Sequence, residues 1–312
     1  VSALRPVALE RLSLAPDRAP TFARQTAELN LDTVPVTDRQ EAIRRGGYAL
    51  TAADFDSDGL VDLVVGHFGP VQLLRNTGTG FEDVTARAGV ASDELVKAAA
   101  VVDLDGDGNR DLLFLRFVVN SADSVGDIVA YRNLGDGTFE PKGHVLPHGA
   151  RYDRAMPLAV ADFNRDGLLD IYVGFPGLAD FTNDLGSSRR PEGLLSQGMW
   201  MNRGAWQFEE VESGATIPSE NFAYPHAALA SDINGDGWAD LIVVDDSWGS
   251  NQVYLNDGAG GFSNATERAG MSASNGWSMG LSTGDYNGDG HLDAIATQVT
   301  FTAGRRILES MG

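Results

Sequence analysis

Short segments of alternating apolar and polar residues recur along the chain, and glycine, asparagine or aspartate bounds each of them. Within residues 48–90 these segments read YALTAADF, VDLVVGHF, VQLLRN and FEDVTARAGV. Alternation with a period of two predicts strands with one buried face, and the short polar turns between them predict antiparallel hairpins. We therefore expect a four-stranded antiparallel sheet, with strands A to D in chain order.

This four-stranded unit recurs in tandem. An aspartate-rich loop follows strand A five times, beginning at Asp54, Asp103, Asp162, Asp232 and Asp285. A second motif, in which an asparagine precedes a tight turn and a phenylalanine, follows each of the first four loops. Its asparagines are Asn76, Asn133, Asn202 and Asn256. Because tandem sheets cannot each bury both faces alone, they stack radially. The sequence predicts an all-β protein, a β-propeller with five recognisable blades.

A single propeller domain is expected to span residues 1–312. The segment TFARQTAELNL, from Thr21, resembles strand D of the first blade, so residues 1–46 are expected to supply strands that close the last blade. Two architectures stay open at this point: a closed five-bladed ring, and a fragment of a six- to seven-bladed propeller. The expected blades span about 47–91, 96–146, 156–213, 224–271 and 277–312.

The aspartate loops have the chemistry of cation sites. Carboxylates this close repel one another unless a cation lies among them, and a glycine at loop position 6 permits a sharp turn. An EF-hand needs a glutamate at position 12, where these loops carry an apolar residue. An all-oxygen ligand set favours Ca²⁺ over Mg²⁺ or zinc, so we expect five calcium ions. The ligands, at positions 1, 3, 5 and 9, are Asp54, Asp56, Asp58, Asp62, Asp103, Asp105, Asp107, Asp111, Asp162, Asn164, Asp166, Asp170, Asp232, Asn234, Asp236, Asp240, Asp285, Asn287, Asp289 and Asp293.

Charge and composition restrict the partners. The formal net charge of −21 argues against nucleic acid and anionic membrane surfaces, which need clustered lysine and arginine. No apolar run is long enough for a membrane span, and the first residues show neither an initiator methionine nor a signal-peptide pattern, so we expect a soluble chain with a processed or trimmed N-terminus. The absence of cysteine excludes disulfides and thiolate zinc sites.

The loops, together with the LVVG strand and the turns of the NxGxGxF type, resemble FG-GAP/VCBS repeats. The segments FEDVTARAGV and WSMGLSTGDYNGDGHLD are especially similar to the cartilage acidic protein group. The resemblance implies a propeller of the integrin α-subunit type, in which such loops bind calcium structurally. It also implies an extracellular, cell-surface or periplasmic location, where millimolar calcium could fill the loops.

The links between blades indicate where a ligand would bind. In an up-and-down blade the A–B and C–D turns share one face, and the B–C and D–A links share the other. Because length varies most in the B–C links, we expect a non-enzymatic scaffold that binds a protein or a glycan there, as in adhesion. The alternative is a polysaccharide lyase or dehydratase with a histidine base, although the sequence has no nucleophile elbow, HExxH motif, P-loop or glycine-rich dinucleotide fingerprint. The candidate ligand-binding residues are His67, His148, Arg189, Arg190, His226, Trp248 and Trp277.

Overall fold

The structure is a computed structural model. It describes residues 49–66, 71–90, 95–117, 126–146, 157–175, 197–211, 217–218, 225–246, 251–272 and 278–298. The first 48 residues, with the expected closing strand, lie outside the described residues. In the part of the chain that is described, no helix is long and apolar enough to cross a membrane.

Eighteen strands within the described residues form five antiparallel sheets, which follow one another along the chain. Sheets 1 to 4 each have four strands in chain order, as the alternating pattern predicts, and sheet 5 has two. Sheet 1 contains β1 (Ala49–Ala53), β2 (Asp62–Gly66), β3 (Gln72–Asn76) and β4 (Phe81–Asp83); sheet 2 contains β5 (Leu95–Val102), β6 (Asp111–Phe117), β7 (Gly126–Tyr131) and β8 (His144–Val145); sheet 3 contains β9 (Leu158–Ala161), β10 (Asp170–Gly174), β11 (Gln197–Asn202) and β12 (Phe208–Val211); sheet 4 contains β13 (Pro225–Ser231), β14 (Asp240–Asp245), β15 (Gln252–Asn256) and β16 (Phe262–Asn264); sheet 5 contains β17 (Ser278–Gly284) and β18 (Asp293–Gln298).

The first strands of sheets 1 to 4 surround a shared cavity of about 360 Å³. Residues from β1, β5, β9 and β13 all line it, so strand A is the innermost strand of each of these four sheets. Neighbouring first strands also contact one another in chain order, from β1 to β17. This radial arrangement of antiparallel sheets is the architecture of propeller blades, and it confirms the predicted fold class.

The core lies between successive sheets. Leu112 and Phe114 of β6 pack against sheet 1, whereas Leu113 and Leu115 pack against sheet 3. All four side chains are at most 1% exposed, and burial of each contributes roughly 2 kcal/mol to the free energy of unfolding. Because both faces of an inner sheet are buried, β6 is continuously apolar from Leu112 to Leu115 rather than alternating.

The fourth strand of sheet 1 is shorter than predicted. The sequence predicts a strand over residues 81–90, but β4 ends at Asp83 and a single helical turn, α1 (Thr85–Ala88), follows. The Asp83 carboxylate accepts hydrogen bonds from the backbone N–H and the hydroxyl of Thr85, which turns the chain out of the strand. The helical turn ends at Gly89, whose φ of +85° suits glycine.

Candidate metal centres

The five aspartate loops, at residues 54–62, 103–111, 162–170, 232–240 and 285–293, fold alike; we call them loops 1 to 5. In every loop the carboxylate at position 1 accepts the backbone N–H of position 6, at 2.8 to 2.9 Å. The carboxylate at position 5 accepts the N–H of position 7 over a similar distance. Glycine at position 6 has a positive φ, as at Gly59 (87°), which explains the invariant residue type. All twenty predicted ligands therefore lie in one repeated loop conformation.

The aspartate at position 9 joins the loop to the sheet. In loop 2, Asp111 accepts the N–H of Leu104 through Oδ2 and the N–H of Asn133 through Oδ1, both at 2.8 Å. Loops 1, 3 and 4 have the same pair of bonds, and the four position-9 carboxylates of loops 1 to 4 are fully buried. Burial raises the pKa of Asp111 and of Asp170 to about 6, despite the backbone bonds that oppose the shift.

The loop carboxylates converge as a cation site requires. Oxygens of Asp54, Asp56 and Asp58 lie within 4.8 Å of one another, and so do oxygens of Asp103, Asp105 and Asp111. In loop 1 the buried Oδ1 of Asp54 has no hydrogen-bond partner, an arrangement that a bound cation would satisfy. Since all these donors are hard oxygens with no preformed sulfur or imidazole ligand, the residues fit Ca²⁺.

The raised pKa values predict an unusual pH dependence for the metal-free protein. A folded-state pKa of about 6, above the ordinary value of 3.8, gives a stabilisation that is present below pH 4 and is lost as the pH rises through 6. From pH 4 to 7 the free energy of unfolding should fall by on the order of 2 kcal/mol for each of Asp111 and Asp170. Urea unfolding of demetallated protein measures this slope. With calcium bound the slope should reverse, because the ion stabilises the carboxylates; metal-free stability that rises over this range would contradict the prediction.

Arginine side chains engage the carboxylates of the first two loops. Arg75 donates from Nε to Asp56 and from Nη2 to Asp58, the second at 2.7 Å. In loop 2, Nε of Arg132 lies 2.9 Å from Asp105 Oδ2, and Nη2 donates to Asp107 Oδ2 at 3.1 Å. Both arginines immediately precede the asparagine of the second motif. Their role was not predicted from the sequence, although the RN pair recurs in two of the four motifs and marks both arginines.

The asparagine of the second motif connects neighbouring sheets. Asn202 donates from Nδ2 to Leu104 O in loop 2 at 2.7 Å and to Leu169 O in loop 3 at 3.2 Å, and its Oδ1 accepts the N–H of Gly204. Asn133 and Asn256 make the equivalent bonds. The amide thus ties a sheet to the loop before it, a role that recurrence alone did not indicate.

Three further side chains link adjacent loops and turns. Trp206 donates from Nε1 to Asp105 Oδ2 at 3.0 Å. Arg165, at position 4 of loop 3, donates to Gly237 O in loop 4, and its guanidinium carbon lies 4.5 Å from the centroid of the Trp238 ring. Because loops 1, 2 and 3 each contact the next sheet as well as their own, we expect metal binding in any of these loops to stabilise two sheets.

Of the candidate ligand-binding residues, only His226 lies among the described residues. It lines the shared cavity, and its Nδ1 donates to the Met279 carbonyl at 3.0 Å. His226 occupies a β-bulge in β13, as Lys97 does in β5, and bulges redirect side chains. Both residues line the cavity. The remaining candidates, His67, His148, Arg189, Arg190, Trp248 and Trp277, lie outside the described residues.

Comparison with known proteins gives the family. A human integrin, integrin alpha-E, is 30% identical over 150 residues, which cover 46% of this chain and 12% of the integrin. An Agrocybe aegerita lectin, described as recognising non-reducing terminal N-acetylglucosamine, aligns over 80% of this chain and 60% of its own, with 24% identity and a TM-score of 0.42. The V. cholerae biofilm matrix protein Bap1 aligns over 70% of this chain and 38% of its own, with 16% identity and a TM-score of 0.37. The sequence model of the FG-GAP-like repeat matches residues 46–114, 117–173 and 232–296, which is more than half of the chain. The chain therefore belongs to the FG-GAP-like repeat family.

Proposed function

We propose that this protein is a calcium-stabilised β-propeller that acts outside the cytosol as a non-enzymatic scaffold for binding a protein or a glycan. The observation that carries the proposal is that the aspartate loops and the shared cavity lie at opposite ends of the first strands. The aspartate loops follow the C-terminal ends of the first strands. The residues that line the shared cavity lie near the N-terminal ends of the same strands and include Ala49, Lys97, Leu158 and His226. The loops would stabilise the fold, and the opposite face would bind.

Calcium is the proposed ion at all five loops, held by the twenty residues at positions 1, 3, 5 and 9. Five Ca²⁺ ions would offset about half of the formal charge of −21, which otherwise opposes compaction. Free calcium reaches millimolar concentrations outside the cytosol, so an extracellular, cell-surface or periplasmic location would keep such sites filled. The match to a segment of an integrin supports the same location.

The proposed domain is a single propeller over residues 1–312, to which residues 1–46 add closing strands. Ile295 in sheet 5 is 37% exposed. Residues facing a neighbouring sheet in the middle of the stack, such as Val173, are fully buried. The outer face of sheet 5 therefore has apolar surface that closing strands could cover.

The cavity suits a ligand with polar and apolar parts. Most of its wall is small and apolar, with Ala98, Ala99 and Ala228 among the lining residues. The ammonium of Lys97 and the imidazole of His226 supply polar groups, and small alanines leave space for the ligand backbone or ring. A sugar or the end of a peptide has this combination of hydroxyl, amide and apolar groups.

Matched glutamate substitutions at two exposed leucines test the binding face. Leu50 lines the cavity, whereas Leu134 is 53% exposed in a turn on the calcium-loop side. We expect Leu50→Glu to weaken binding by about tenfold or more, because it replaces an apolar part of the cavity wall with a carboxylate, and Leu134→Glu to have little effect. Binding to a panel of oligosaccharides and purified secreted proteins measures both variants in calcium. Loss of binding in Leu134→Glu alone would place the site on the other face, and a shortened or unsaturated oligosaccharide would indicate an enzyme.

A further inference from the structure

Two positions of the repeat change together between sheets. Loop position 3 is aspartate in loops 1 and 2 but asparagine in loops 3 and 4. The residue before the asparagine of the second motif is arginine in sheets 1 and 2 but methionine or leucine in sheets 3 and 4. The four pairs are Asp56 with Arg75, Asp105 with Arg132, Asn164 with Met201, and Asn234 with Leu255.

Both combinations supply a donor to the same atom. In loops 1 and 2 an arginine Nη2 donates to Oδ2 of the position-5 aspartate, Asp58 or Asp107. In loop 3 the side-chain amide at position 3 supplies this donor instead, because Asn164 Nδ2 donates to Asp166 Oδ2 at 2.9 Å. Loop 4 repeats this bond between Asn234 and Asp236, at 2.8 Å. The side chain that orients position 5 therefore comes from strand C in one combination and from within the loop in the other.

Both combinations also give the same charge. Loops 1 and 2 have four carboxylates at positions 1, 3, 5 and 9, and one guanidinium in contact with them. Loops 3 and 4 have three carboxylates and no arginine at the equivalent strand position. Counted over these four positions and the strand-C residue, each of loops 1 to 4 has a net charge of −3, although the number of carboxylates differs. A charge that is preserved by two different residue sets points to a requirement on the site rather than to an incidental surface ion pair.

We propose that Arg75 and Arg132 set the metal affinity of the first two sites. Each guanidinium offsets the additional carboxylate at position 3, which brings a four-carboxylate loop to the affinity of a three-carboxylate loop. The same contacts hold positions 3 and 5 together before the metal binds. This inference rests on the proposed binding of calcium in the loops, and it assigns the two arginines as positioning residues rather than as ligands.

Loop 2 offers the sharpest test because Trp206 reports on it. The indole donates to Asp105, so excitation of tryptophan should sensitise Tb³⁺, a luminescent substitute for Ca²⁺, when it binds in this loop. Trp238 belongs to loop 4, so the titrations use a Trp238→Phe background. The variants are Arg132→Met, Asp105→Asn and the double variant, which reproduces the residue types of sheet 3. Calcium competition against bound Tb³⁺ then gives the affinity of this one site.

We expect opposite effects from the single substitutions and their cancellation in the double variant. Arg132→Met leaves a net charge of −4 and should raise calcium affinity about tenfold, whereas Asp105→Asn leaves −2 and should lower it about tenfold. The double variant should lie within about twofold of the parent. Arg203→Met is the matched control, since Arg203 pairs with Glu209 at 2.8 Å beside a turn on the same side of the sheets, and it should change nothing.

The failures of the two proposals are distinguishable. If Tb³⁺ and Ca²⁺ do not bind in loop 2 of the parent, the proposed function is wrong. If they bind but Arg132→Met leaves the affinity unchanged, or the double variant is as weak as Asp105→Asn, the charge-setting role is wrong. Hydrogen exchange of the backbone amides of residues 103–111 in metal-free protein gives a second readout. These amides should exchange faster in Arg132→Met than in the parent, and in the double variant they should exchange at the rate of the parent.

Discussion

The substitution Asn202→Asp is expected to lower the free energy of unfolding by about 4 kcal/mol, as the placement of an uncompensated buried charge does. Asn202 is fully buried, and its amide donates to the carbonyls of Leu104 and Leu169. An aspartate of the same shape has no donor, so a carboxylate oxygen would lie against two carbonyl oxygens. Urea unfolding in saturating calcium measures the loss.

Asn76→Asp is the matched control for this substitution. Asn76 donates to Val61 O in its own sheet at 2.9 Å and accepts the N–H of Gly78, as Asn202 does with its equivalents. Among the described residues its amide has no acceptor in a preceding sheet. The expected loss is therefore smaller, about 1 to 2 kcal/mol. Equal losses in the two variants would show that the bond between sheets contributes little.

Local patterns were sufficient to predict the blades and the loops. The period-two alternation predicts β1, β2 and β3 because one face of each strand packs on a neighbouring sheet. The loop ligands lie within nine residues of one another, so their spacing alone indicates that their oxygens converge. The predicted length of the fourth strand was wrong. The Asp83 carboxylate accepts hydrogen bonds from the N–H and the hydroxyl of Thr85, and a helical turn begins there. Apolar periodicity does not distinguish so short a helical turn from a strand.

Contacts between distant residues could not be predicted in this way. Arg132 reaches Asp107 only because β6 and β7 are paired in a particular register, and Asn202 reaches Leu104 only because two sheets stack. Neither distance follows from spacing along the chain. The recurrence of RN and of the motif asparagine was visible in the sequence, but the partner atoms required the positions of neighbouring sheets.

Removal of calcium is expected to have the largest effect on stability. At a free calcium concentration of about 100 times the dissociation constant, each site stabilises the fold by roughly 2.7 kcal/mol. Five such sites together would equal the whole stability of a typical domain, about 5 to 15 kcal/mol. Buried carboxylates such as Asp111 would also lose their compensating charge. Thermal unfolding followed by circular dichroism, with and without EGTA, measures the loss, and magnesium should not replace calcium because it dehydrates reluctantly.

The central claim is that the aspartate loops bind calcium and that this calcium stabilises the propeller. The most direct test is the thermal midpoint in calcium, in EGTA, and in EGTA followed by excess calcium. We predict a fall of about 15 °C or more in EGTA, on the scale of a few degrees per kcal/mol, and full recovery when calcium is restored. A midpoint that is the same in all three conditions would contradict the claim.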